Sequence, residues 1–97
     1  MRGNRKNKQQ LVLIRWLDST QPLPNWIHLD SLPNIDPIEC VSVGWLIRDY
    51  EGVKMLAQNM GDIESESNMQ ASGIIAIPTC SIVEMVSLKE TKKVLIN

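Results

Sequence analysis

Short apolar stretches separated by turn-forming residues divide most of the chain into five predicted β-strands. These stretches cover residues 10–19, 41–48, 53–60, 73–77 and 82–88. The first is apolar on both faces, because every residue from Leu11 to Ile14 is aliphatic, and it is therefore expected to be a central strand. The second alternates with a period of two from Val41 onward, which is typical of a strand with one buried face.

The segments between these strands carry turn signals. Residues 49–52 (DYEG) form a predicted hairpin turn, residues 61–72 an acidic hairpin loop and residues 78–81 a tight corner. Residues 19–38 contain four of the five prolines, which excludes a regular strand or a long helix and leaves room for one short helical turn capped by Asp30 or Ser31. This order predicts an all-β fold, a small five-stranded SH3-like or Sm-like barrel with a long Pro-rich loop after strand 1.

The length of 97 residues suits one domain. We expect residues 11–88 to form the barrel, residues 1–10 a disordered basic tail, and residues 89–97 a C-terminal tail or a short edge strand. No apolar run reaches the roughly 20 residues of a membrane-spanning helix. The four aliphatic residues before Arg15 are too few for the apolar region of a signal peptide, so secretion is not expected.

The charges divide the chain into an acidic body and two basic ends. Residues 1–8 hold four basic residues and no acid, residues 9–88 hold three basic residues against ten acids, and residues 89–97 hold three against one. An acidic body repels polyphosphate, so this distribution argues against a surface that follows a nucleic-acid backbone. It leaves room for a protein partner or for a small ligand held by one or two arginines.

Residue patterns for catalysis or metal binding are sparse. Cys40 and Cys80 have no C-x-x-C partner and are expected to be reduced, buried thiols, and the single histidine gives no metal-ligand spacing, so neither a metal nor a cofactor is predicted. The best catalytic set is Ser19, His28 and Asp30, but these residue types are common in loops, and a triad is defined by geometry rather than by sequence. No catalytic residue is therefore assigned.

Tryptophan and arginine are the residues best suited to binding in this chain. Trp16 and Trp45 lie on predicted strands and are interpreted as core residues, whereas Trp26 lies in a polar loop and is the best single candidate for contact. Either body arginine could hold an anion or pair with a nearby acid. The candidate ligand-binding set is Arg15, Trp16, Asp18, Ser19, Trp26, Trp45 and Arg48, a combination that would suit a nucleotide.

Several fragments resemble a family of small, uncharacterised bacteriophage and prophage proteins. They are Trp16-Leu17-Asp18-Ser19, Trp26, Ser42-Val43-Gly44-Trp45-Leu46, and Ile77-Pro78 followed by Ile82 and Leu88. The resemblance covers about residues 11–88, and its most specific part is the Ser-Val-Gly-Trp-Leu stretch. It implies a phage accessory protein in the cytoplasm of the bacterial host and supplies no catalytic residues.

These observations predict a non-enzymatic binding protein that acts in counter-defence, by sequestering a nucleotide-derived immune signal or by masking a host protein. Small barrels have exposed edge strands, and pairing between subunits shields such edges, so we expect a homo-oligomer. The alternative is an Sm-like or SH3-like regulator that binds nucleic acid, which the basic ends favour and the acidic body opposes. An enzyme has the least support.

Overall fold

The computed structural model describes residues 9–97, and its strands form one antiparallel sheet. The strands are β1 (Gln10–Asp18), β2 (Ile38–Tyr50), β3 (Val53–Gly61), β4 (Gln70–Pro78) and β5 (Ile82–Ser87). Their order across the sheet is β4-β3-β2-β1-β5, which confirms the predicted all-β class and the central position of β1. Residues 1–8 of the tail predicted for residues 1–10 lie outside the described residues.

β1 lies inside the sheet and has a hydrogen-bonded neighbour on each edge. It pairs with β2 along its whole length, from Gln10 opposite Leu46 to Asp18 opposite Ile38. On its other side it pairs with β5, where the register shifts between Arg15 and Trp16. This double pairing fixes the directions of the β1 side chains on both faces.

The sheet must curl, because a very short connection joins its two edge strands. β4 and β5 are separated by four strand spacings, which is about 19 Å in a flat sheet. The only residues between them are the 3-10 turn Thr79–Ser81, and four peptide units span at most about 14 Å. The amide of Thr79 donates to the carbonyl of Gly52 at 2.9 Å, which ties this corner to the β2–β3 turn.

The inner face of the curled sheet holds a small core to which all five strands contribute. Its fully buried members are Val12, Ile14, Leu56 and Ile77, and the partly buried Trp16, Leu46 and Ile82 pack against them. Ile77 and Ile82 come from the two edge strands, so their presence at the same core cluster is a consequence of the curl. The indole Nε1 of Trp16 donates to the Ser42 Oγ at 3.0 Å, which satisfies its polar atom beside the core.

β2 and β3 pair along only half of β2. Their register runs from Trp45 opposite Ala57 to Tyr50 opposite Val53. At Gly44 the two backbones are still close, since a Cβ there would lie 2.7 Å from the Ala57 carbonyl oxygen. Gly44 is also the first residue of β2 that has no partner on β3. Beyond it, Ile38–Gly44 pairs only with β1, and the end of β3 pairs only with β4. The two strands therefore enclose an open cleft.

The segments outside the sheet are mostly exposed. Residues 19–37 link β1 to β2 and contain one 3-10 turn, Leu29–Ser31, at the predicted position. Asp30 and Ser31 lie inside this turn and do not cap it; the residue before the turn is His28, which makes no side-chain capping bond. Residues 88–97, which include the predicted tail or edge strand of residues 89–97, contain no strand. Within the described residues, no helix is long and apolar enough to cross a membrane.

Candidate binding face

The side of the sheet opposite the core carries a continuous apolar surface across β5, β1 and β2. We call it the outer face, and its residues are Leu11, Leu13, Arg15, Leu17, Val41, Val43, Trp45, Glu84 and Val86. The register places Leu11 opposite Trp45, and Leu13 between Val43 and Val86. Contiguous apolar surface of this kind on a protein commonly marks a binding site.

One end of the outer face borders a groove of about 460 Å³. Its lining residues are Gln9, Gln10, Leu11, Trp45, Leu88, Lys89 and Glu90. The volume lies within the range of small-ligand sites, which is roughly 300–1,000 Å³. Trp45 is partly exposed there and does not belong to the core cluster, so its interpretation as a core residue was wrong, because its register with Leu11 places it on the face opposite the core. This end of the face therefore combines an aromatic surface with amide and charged groups.

The other end of the outer face carries an ion pair. The Arg15 Nε donates to the Glu84 Oε1 at 2.8 Å, across the register pair of β1 and β5. About half of each side chain remains exposed, at 47% and 54%, so solvent screens the interaction. The guanidinium therefore has an acid partner, as the sequence reading allowed, and an incoming anion would compete with Glu84 for it.

The remaining candidates from β1 lie away from the outer face. Trp16 points to the core side, packs against the buried cluster and confirms the core interpretation. Asp18 accepts a hydrogen bond on its Oδ1 from the Ser19 amide at 2.9 Å, which closes the end of the strand. Both residues of that turn are exposed and serve a local structural role.

Trp26 and Arg48 are exposed and lie on other parts of the molecule. Trp26, in the long β1–β2 loop, is fully solvent-exposed, which extends the expectation that it would be partly exposed. The guanidinium of Arg48 lies over the Tyr50 ring, 5.9 Å from its centroid, in a cation–π contact at the end of β2. Of the seven candidates, only Trp45 lines the groove beside Leu11.

Two expectations about reactive residues can be compared with the structure. The cysteines were expected to be buried, but Cys80 is exposed in the corner turn and Cys40 is half-buried; both are free thiols. That expectation was wrong because Cys80 falls in a turn that directs its side chain outward. Ser19, His28 and Asp30 are all exposed, and the described residues contain no group of three metal-ligating side chains.

Sequence reasoning missed the aliphatic part of the outer face. Leu11, Leu13, Val41 and Val43 were assigned to strands, but no binding role was considered for them. A signal was present, because an apolar second face on both β1 and β2 leaves one side without a covering layer in a single sheet. Only the register shows that these side chains share one surface. No protein-family model, curated protein or solved structure matches this chain.

Proposed function

We propose that this protein is a non-enzymatic binding protein that assembles with copies of itself and holds its partner against the outer face. The observation that carries the proposal is the apolar surface formed on paired strands by the half-exposed Val43 and the partly exposed Leu11, Leu13 and Trp45. Apolar groups on rigid strands bind with little loss of side-chain entropy, and a partly exposed tryptophan is the typical energetic centre of an interface. The biological setting, a phage accessory protein in counter-defence, rests on the sequence resemblance alone.

The fold proposed for this function is an open barrel of the SH3-like or Sm-like type. Its support is the strand order β4-β3-β2-β1-β5 together with the three-residue turn that brings the two edge strands together. Barrels of this size host many unrelated functions, so the fold does not by itself select the partner.

The exposed surface supports assembly. The chain exposes 8289 Å², whereas a compact monomer of 11.0 kDa exposes about 5,600 Å² by the usual size scaling. The exposed β1–β2 loop and the exposed C-terminal segment contribute to this excess, and both are surfaces that a partner subunit would bury. A homo-oligomer is therefore proposed as the working form.

Two partner classes fit the outer face. A nucleotide-derived signal would stack on Trp45 in the groove and place its phosphate near Lys89. Arg15 lies four residues beyond Leu11 on β1, about 14 Å away, and would contact a second phosphate of a larger signal once Glu84 has been displaced. A host protein would instead cover the aliphatic centre of the face. The first is sequestration of a signal, and the second is masking of a target.

Native mass spectrometry of the protein incubated with a bacterial nucleotide extract tests the sequestration arm. Retention of a nucleotide that is lost in Trp45→Ala and kept in Trp26→Ala would support a site at the outer face, and the reverse pattern would move the site to the β1–β2 loop. Glu84→Gln should strengthen binding of a phosphate that contacts Arg15, because it removes the competing carboxylate.

If no nucleotide is retained, pull-down from host lysate tests the masking arm. Leu13→Lys places a charge at the centre of the outer face, and Ile63→Lys, in the β3–β4 loop, is a matched apolar-to-charged control. A captured protein that Leu13→Lys releases and Ile63→Lys retains would support masking. Equal capture by both variants would contradict the outer face as the binding surface.

The second candidate function is nucleic-acid binding by an Sm-like or SH3-like regulator. The specific feature that favours it is the exposed C-terminal segment with Lys89, Lys92 and Lys93. Fluorescence anisotropy with a single-stranded RNA at two salt concentrations tests it, because binding through lysines falls steeply as salt rises. Absence of binding at low salt would exclude this candidate.

A further inference from the structure

The cleft between β2 and β3 presents an unpaired strand edge. Ile38–Gly44 has β1 on one side only, and every second residue of an extended strand directs its backbone N–H and C=O away from that neighbour. Val41 and Val43 are about half exposed along this edge. The cleft has a volume of about 370 Å³ and is lined by Val41, Ser42, Val43, Gln58, Gly73 and Ile75.

The opposite wall of the cleft is the projecting end of the β3–β4 hairpin. There β3 pairs with β4 alone, from Asn59 opposite Ser72 to Gly61 opposite Gln70. The two walls diverge from Gly44, so the cleft is narrow at one end and open at the end near Ile38. A single extended segment entering from the open end would pair with β2 and lie between the two walls.

The chain itself carries a segment of the right kind at its C-terminus. Residues 92–96 (KKVLI) include the β-branched Val94 and Ile96, belong to no strand, and leave Val94, Leu95 and Ile96 exposed at 83%, 88% and 91%. Three adjacent aliphatic side chains this exposed make no packing contribution to their own subunit. Their burial elsewhere would be strongly favourable.

The charges of the segment and of the cleft are complementary. The segment carries Lys92 and Lys93, whereas exposed acids lie on both walls. Those acids are Asp36 and Glu39 beside the start of β2, and Asp62, Glu64 and Glu66 at the tip of the hairpin. Attraction between them would orient a basic segment at the open end of the cleft.

The segment of the same chain is poorly placed to fill its own cleft. It leaves the sheet after Leu88, whose amide donates to the Leu11 carbonyl at 2.9 Å, beside β5. The cleft lies beyond β1 and β2, about 14 Å away at three strand spacings. Residues 88–92 would have to be fully stretched to span that distance, leaving none to reverse direction before pairing.

We propose that residues 92–96 of one copy add as a strand to the Ile38–Gly44 edge of a second copy. The arrangement can close as a reciprocal dimer, in which each subunit gives one segment and receives another. This strand addition rests on the proposed assembly of copies and specifies the contact that would hold the copies together. The added strand would cover Val41 and Val43 of the outer face, and the part around Leu11, Leu13 and Trp45 would remain available to a different partner.

Light scattering of the full chain gives the first test. The parent protein should have a mass above that of one chain, and Val94→Pro or Leu95→Pro should lower it, because proline removes a backbone donor from a strand. Thr91→Pro, just before the segment, is the matched control and should keep the parent mass. A parent chain that is monomeric at micromolar concentration overturns exchange between copies.

Peptide competition separates strand pairing from simple apolar contact. A synthetic KETKKVLIN peptide in excess should dissociate the parent assembly. One version carries N-methyl groups at the positions of Val94 and Ile96, and the other at the position of Leu95. Because alternate N–H groups face the partner, one of the two should compete at least about tenfold more weakly than the other.

The outcomes distinguish this mechanism from the proposed function. An assembly that resists the peptide and all the proline variants would overturn strand exchange while leaving a homo-oligomer in place. Equal competition by both methylated peptides would also overturn it. Loss of partner binding in Trp45→Ala with an unchanged assembly mass would concern the outer face alone.

Discussion

Replacing Gly44 with alanine should destabilise the protein, because the added methyl group has no room. A Cβ at this position would lie 2.7 Å from the Ala57 carbonyl oxygen and 3.3 Å from its carbonyl carbon. Both atoms belong to the backbone of a fully buried residue on β3, and Gly44 is itself buried. The contact can be relieved only by moving β2 and β3 apart at the point where the cleft begins.

The size of the effect follows from two opposing contributions. Overpacking that forces a backbone shift costs about 1–3 kcal/mol. A Gly→Ala change also restricts the unfolded chain, which stabilises the fold by about 0.4–1 kcal/mol when the backbone is compatible, and the φ of Gly44 is not positive. The net loss is about 1–2 kcal/mol, and for a domain of this size each kcal/mol lowers the Tm by about 4–8 °C.

Urea unfolding followed by tryptophan fluorescence, at one fixed protein concentration, measures this difference. Gly61→Ala is the matched control, because Gly61 ends β3 and a Cβ there meets no atom within 4 Å. The control should be as stable as the parent or slightly more stable. Equal stability of the Gly44 and Gly61 variants would refute the close approach of β3 to β2.

Three smaller predictions concern other local features of the fold. Gly52→Ala should cost about 1 kcal/mol of unfolding free energy through backbone strain alone, because Gly52 has a φ of 79° and no atom lies within 4 Å of its Cβ position; urea unfolding measures it. Ser42→Ala should cost about 1 kcal/mol by removing the acceptor of the Trp16 indole, and an unchanged midpoint would contradict that hydrogen bond. Under native conditions Cys80 should react with a thiol reagent faster than Cys40, since it is the more exposed, and mass spectrometry of timed samples shows the order.

The sequence pattern located the strands but not their full lengths. The prediction placed residues 61–72 in a loop, whereas β4 begins at Gln70, opposite Gly61. Gln70, Ala71 and Ser72 have little β-forming character, and they are extended because the hairpin register continues past the last apolar pair. In the same way Ile38 and Glu39 join β2 because Asp18 and Leu17 of β1 provide partners for them.

The candidate site was only partly predictable, for a physical reason. Residue type alone indicated Trp45 and Arg15, and both lie on the outer face. Trp16 is the residue next to Arg15 on β1, so its side chain points to the opposite face of the sheet, toward the core. Trp26 and Arg48 suit binding by composition, but their positions depend on a long loop and on the register shift between Leu46 and Arg48, which no local pattern specifies.

The outer face and the unpaired edge of β2 have a common origin in the way the sheet curls. Curling brings β4 and β5 together and buries a small inner cluster, so the other side of β1 and β2 has no layer to cover it. The same curvature bends β3 away from β2 at Gly44 and leaves a strand edge unpaired. A chain with so small a core gains stability from any contact that covers the face or the edge, because binding to the folded state alone shifts folding toward it. Assembly and stability are therefore expected to be coupled in this protein, with exchange of the C-terminal segment as the link between them.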